Sequence, residues 1–125
     1  MSVTVDIKVR TFEYSIRIVK LYRAIQASKD GAAMVIAKQF LRSSMSIGAN
    51  VIEAYSAESK RDFVHKYGIA LKEARESQYW LKLLAKSGPI SSTKLTPLIK
   101  ETDEIIAIIT AIVKKTKANL NHAEP

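Results

Sequence analysis

A chain of 125 residues, 47% apolar and 26% charged, is long enough to bury a core of its own as one domain, which excludes a largely disordered protein. The absence of cysteine rules out disulfides and thiolate metal sites, and no apolar run approaches the ~20 residues of a membrane span. Twenty lysines and arginines against twelve acids leave a net charge of +8, which suits partners bearing phosphates or acidic surfaces.

The surplus is spread along the chain, with eight bases against five acids in residues 1–59 and twelve against seven in 60–125. No block of five or six like charges marks a nucleic-acid-binding arm. The start, MSVTVDIKVR, places charges where a signal peptide needs an apolar stretch. A cytoplasmic protein, not bound to a membrane, is expected.

The apolar pattern predicts four helices, over about 9–28, 32–55, 60–86 and 96–118, with a frayed tail over 119–125. In the first, Phe12, Ile16 and Val19, with Ile18, Leu21, Tyr22 and Ile25 further round, make a broad apolar side. Glu13 and Arg17 form an i,i+4 pair on its polar face. Before it, Val3, Val5, Ile7 and Val9 alternate with polar residues, which reads as a helix lead-in in preference to a short extended arm. Lys29-Asp30-Gly31 is the break, and Asp30 can cap the next helix.

In the second helix Met34, Ala37, Leu41, Met45, Gly48, Ile52 and Tyr55 form a heptad-like seam. Ser44 and Gly48 on this side allow another helix to approach closely, which would compensate the ~1 kcal/mol that glycine costs in a helix interior. Asn50 and Glu53 flank the seam one turn apart. Their expected role is to fix helix register, with Arg75 or Lys72 as partners for Glu53.

Ser59-Lys60-Arg61-Asp62 resembles a capping box and opens the third helix. Phe63, Tyr67, Ala70, Ala74, Ser77, Leu81 and Leu84 then step by four and three, and Ser87-Gly88-Pro89 stops the pattern. Thr96-Pro97 reads as the start of the last helix, with an earlier turn from Ser92 as the alternative. Its apolar face runs from Leu98 and Ile99 through Thr102, Ile105, Ile106, Ile109 and Ile112 to Val113.

Short connections make successive helices antiparallel, so the fold class is all-α, an up-down four-helix bundle. Leu21, Ile69, Trp80, Leu83 and Ile108 lie beside the stripe such a bundle needs from each helix. Either they thicken a monomeric core or they form a subunit interface, and the latter is favoured because so large an apolar patch is a liability on a monomer.

Catalytic machinery is not legible. A di-iron bundle needs two Glu-x-x-His motifs, whereas this chain has two histidines, His65 and His122, and only Asp62-x-x-His65 at i,i+3. No phosphate-binding glycine loop and no serine–histidine motif is present. The carboxylate pairs Glu73/Glu76 and Asp103/Glu104 read as ion-pair partners, Lys72 to Glu76 among them. A non-enzymatic protein without cofactor or metal is expected. For phosphate contact the candidates are Lys38, Arg42, Lys60, Arg61, Lys114, Lys115 and Lys117.

Ser46-Ile47-Gly48-Ala49-Asn50-Val51-Ile52-Glu53-Ala54, then Lys60-Arg61-Asp62-Phe63, then Ala70 to Leu81 (ALKEARESQYWL) resemble a four-helix bundle protein family. That family includes proteins encoded by intervening sequences in bacterial 23S ribosomal RNA genes, and the resemblance spans roughly residues 10–118. Gly48, Asn50 and Glu53 belong to its central motif. The family's glycine after Asn-x-x-Glu is Ala54 here, so the second helix is expected to run on through Tyr55. The resemblance implies a homopentamer. It also implies similarity to the basic accessory protein of diversity-generating retroelements, which associates with a reverse transcriptase and with nucleic acid. The expected function is therefore non-enzymatic binding of RNA or a ribonucleoprotein by distributed Lys and Arg. The alternative is an adaptor, such as an accessory subunit of a reverse transcriptase.

Overall fold

Helix starts in this chain are set by side chains that accept the orphan N–H groups of a first turn. Asp6 accepts from the Lys8 amide (2.8 Å), Asp30 from Ala33 (3.0 Å) and Ser59 from Asp62 (3.0 Å). The computed structural model describes residues 6–123 as α1 (Ile7–Ser28), α2 (Gly31–Ala54), α3 (Lys60–Ser87) and α4 (Ser92–Ala123). Val3 and Val5, expected in the helix lead-in, lie outside the described residues, as do Glu124 and Pro125.

Packing runs around the bundle in chain order, α1 on α2, α2 on α3 and α3 on α4, and α1 touches α4 least. Paired contacts give the directions. Arg42 meets Glu76 while Glu53 meets Lys66, so α2 and α3 are antiparallel. Thr11 lies against Gly48 while Lys8 lies over Tyr55, so α1 and α2 are too. Gln78 bonds Asp103, and Lys60 and Phe63 share a groove with Thr116 and Asn119, which orients α4 against α3.

The ends differ from the sequence expectation in instructive ways. α1 stops within the expected Lys29-Asp30-Gly31 break, at Lys29, which adopts left-handed backbone (φ 59°) and returns its N–H to the Gln26 carbonyl. α2 ends at Ala54, with no glycine needed: Tyr55 stays right-handed and its amide bonds the Ile52 carbonyl, a tightened last turn. The box at Ser59 is half formed, because the shorter Asp62 carboxylate reaches the Glu58 amide (3.4 Å).

α4 begins at Ser92, not at Pro97. Ser91 accepts the Lys94 amide, and Leu95 is buried and anchors the added turn, leaving Pro97 inside the helix. At the far end α4 continues to Ala123, past the expected fray at 119.

The core is filled by Tyr14, Ile18 and Ile25 of α1, Phe40, Ile47 and Val51 of α2, Tyr67, Leu81 and Leu84 of α3, and Ile105 and Ile109 of α4. The seam expected on α3 is the one buried, from Tyr67 through Ala70, Ala74, Ser77 and Leu81 to Leu84. On α2 the expected seam holds at Ala37 and is otherwise displaced by one residue. Ala33, Ala37, Phe40, Ser44, Ile47, Val51 and Ala54 face inward, while Met45, Ile52 and Tyr55 are exposed. On α1, Phe12 and Ile16 also face out, and Ile7, Thr11 and Tyr14 take the core side with Ile18 and Ile25. Both helices carry two apolar stripes, and periodicity alone does not say which one meets the bundle.

Polar atoms inside the core are all partnered among the described residues. The Tyr14 hydroxyl shares a 2.7 Å bond with Thr102 across α1 and α4, and Ser43 meets Ser77 (2.8 Å) across α2 and α3. Such pairs matter because an unpartnered buried hydroxyl costs ~1–3 kcal/mol.

Candidate nucleic-acid interface

A surface that neutralises phosphates needs cations whose charge is not already matched within the chain. Arg42 fails that test. Its guanidinium donates to Glu73 (3.3 Å) and to Glu76, and the Glu76 contact foremost raises its pKa. Glu76 also accepts the Trp80 indole N–H (2.9 Å), and these donors, Trp80 first, hold its carboxyl below the usual range. Glu76 is thus bound to Arg42 and Trp80 instead of to Lys72.

Three further ion pairs were not anticipated from sequence. Arg10 grips Glu101 through two bonds of 2.7 and 2.8 Å and also reaches Glu104 (3.2 Å), tying α1 to α4 where their packing is thinnest. The expected partners of Glu53 were Lys72 or Arg75, but Lys66 holds it at 2.9 Å, because Lys66 lies opposite Glu53 across the α2–α3 seam. Asn50 turns back on its own helix, donating to the Ser46 carbonyl (2.8 Å) and hydroxyl (3.1 Å). Gly48 faces Thr11, where an added Cβ would stand 3.5 Å from the threonine hydroxyl, an ordinary contact. Close approach therefore does not demand glycine there.

Lys38, Lys60, Lys114, Lys115 and Lys117 are exposed, and no carboxylate lies within ion-pair distance of them among the described residues. They do not form one patch. Lys38 lies on α2 toward the end of the bundle opposite the α2–α3 hinge, apart from the others. At the hinge end the start of α3 meets the end of α4, and a groove of about 630 Å³ runs between them. Arg61, His65, Lys72 and Lys117 line it, over a floor of Val64, Gly68, Ile69 and Leu120. Lys60 borders a smaller neighbouring groove of about 230 Å³ that shares Val64. Lys114 lies one turn before Lys117 on α4. His65 and Lys72 had no place in the sequence-derived set, since only the α3–α4 pairing brings them to Lys117. The side chain of His122 lies outside the described residues.

Of the residues expected at an oligomer interface, Leu21, Trp80 and Ile108 are half-buried against the core, Ile69 floors the basic groove, and Leu83 is half-buried on α3. No metal-binding cluster of His and carboxylates occurs among the described residues, and no described helix is long and apolar enough to cross a membrane.

These features define the class: a basic, all-α four-helix bundle with a cationic groove between its last two helices. The model of the 23S rRNA-intervening sequence protein family matches residues 4–111, and the chain belongs to that family. It is similar to a crystal structure of a protein of unknown function from the S23 ribosomal protein family of Bacteroides thetaiotaomicron. The two share 39% identity and a TM-score of 0.80 over 87% of this chain and 99% of the other. No curated protein matches it.

Proposed function

We propose that this chain is a non-enzymatic, cytoplasmic, homo-oligomeric protein that binds RNA or a ribonucleoprotein through backbone phosphates. The observation that carries the reading is the convergence of Lys72 and Lys117 on one groove at the α3–α4 junction, which Arg61 and His65 also line, with Lys60 beside it. Flexible ammonium groups around an apolar floor suit phosphates held in a groove and offer no fixed array for reading base edges. Binding is then electrostatic and tolerant of sequence. A homopentamer, the state implied by the family resemblance, repeats the groove five times and multiplies the +8 charge.

The test is the affinity for a structured RNA at about 50 and 200 mM salt. Three phosphate contacts, from Lys60, Lys72 and Lys117, imply a loss of roughly 20- to 40-fold across that range. An affinity that is flat with salt, or no binding at the lower salt, overturns the reading.

A further inference from the structure

The end of the bundle where α3 starts and α4 ends holds three aromatic rings in contact. Phe63 makes a T-shaped contact with Tyr55 (ring centroids 5.7 Å) and lies 5.0 Å from Tyr67. Tyr67 is fully buried and its hydroxyl donates to that of Tyr55 (3.0 Å), so Phe63 is braced from the protein side.

Phe63 also walls the smaller groove at the α3–α4 junction, about 230 Å³, together with Lys60, Val64, Thr116 and Asn119. The fold leaves the polar groups of this groove available. Asn119 is exposed, and its side-chain amide makes no hydrogen bond among the described residues. Thr116 donates its proton to the Ile112 carbonyl (2.7 Å), which leaves its lone pairs for a donor from outside. The Lys60 ammonium has no carboxylate at ion-pair distance among the described residues.

We propose that this groove takes one unpaired RNA base against Phe63, with Asn119 and Thr116 at its hydrogen-bonding edge and Lys60 at its phosphate. On the RNA-binding reading above, on which this rests, the ligand is then a single strand and not a duplex. Each part of a nucleotide meets its complement. An aromatic ring is a stacking partner for any base. The Asn119 amide carries a donor and an acceptor side by side, as the edge of a base does. An ammonium at the rim suits the phosphate. The groove has room for one base and not for a base pair. Within a duplex the faces of a base are covered by its neighbours and its pairing edge by its partner, so only an unpaired base can enter. Val64 belongs to both grooves, and Lys72 stands ~18 Å from Lys60 along α3, so the strand leaving the small groove passes into the larger one, toward Lys117 and Lys72.

The experiment compares an unstructured RNA of about ten nucleotides with a duplex carrying as many phosphates, at about 50 and 200 mM salt. It uses the full chain as wild type, Phe63→Leu and Asn119→Ala. Phosphate contacts alone favour the duplex, whose charge density is higher. The expected result is a wild type that binds the single strand about tenfold more tightly than the duplex. Phe63→Leu removes about that factor and Asn119→Ala part of it, both without changing the salt slope or the affinity for duplex. Asn119 is exposed and outside the core, so its variant tests the groove even where Phe63→Leu weakens the fold. A duplex bound as tightly as the single strand, or a single-strand affinity unchanged in both variants, overturns the proposal and leaves phosphate binding in the larger groove standing. No binding of either RNA at the lower salt overturns both.

Discussion

Lys29 holds a left-handed backbone (φ 59°) at the α1–α2 junction, two residues before a glycine that sits in ordinary helix. That conformation costs an L-residue about 1 kcal/mol relative to glycine. Lys29→Gly is expected to raise stability by up to ~1 kcal/mol, read as a higher denaturation midpoint, whereas a fall would mean the lysine side chain contributes more than the strain removes. Tyr14 and Tyr67 act at the same scale. Both are buried, desolvation is the chief cause of their raised pKa, and the Thr102 bond only partly opposes it at Tyr14. A phenol that ionises near pH 10 when unfolded but later when folded stabilises below pH 10, and that contribution shrinks as pH rises further. Unfolding midpoints should therefore fall above about pH 10, and less steeply in Tyr14→Phe. An equal slope in both would remove Tyr14 from the account.

At the scale of elements, α4 makes the sharpest test. Pro97 at a first helical position would be favourable, as Thr96-Pro97 suggests in sequence, but α4 already begins at Ser92 under the Ser91 cap. There Pro97 withholds one N–H from the ladder, a penalty usually near 3 kcal/mol in a helix interior and smaller near its start. Pro97→Ala should stabilise by at least ~1 kcal/mol in a denaturant titration; a neutral or destabilising result would put the start of α4 back at Pro97. The third helix was legible from sequence because its seam is its only strong one. α1 and α2 were not, since each offers two stripes of similar hydrophobicity and the choice depends on what they pack against. At Thr11 and Tyr14 the bundle even buries polar-tipped side chains in place of Phe12 and Ile16, because the Ile7 carbonyl accepts from Thr11 and the Thr102 hydroxyl, which donates to the Leu98 carbonyl, partners Tyr14.

For the whole molecule, the order of helices around the bundle sets the outer apolar face of α1 and α2 opposite the basic groove of α3 and α4. Lys72→Glu combined with Lys117→Glu should lower RNA affinity and flatten its salt dependence by about two units of log–log slope, without changing particle mass. A mass change alongside would mean that the groove takes part in assembly.

By itself the sequence determined the four helices, the antiparallel order, the buried face of α3 and α4, the caps at Asp30 and Ser59, and the family. These follow from local patterns: apolar spacing, capping side chains and short connections. Which seam of α1 and α2 is buried, which cations are spent on Glu73, Glu76, Glu101 and Glu53, and which gather at the α3–α4 groove were decided by the tertiary structure alone. Each depends on what lies across a helix interface, tens of residues away in the chain, where the period of one helix carries no information about its neighbour.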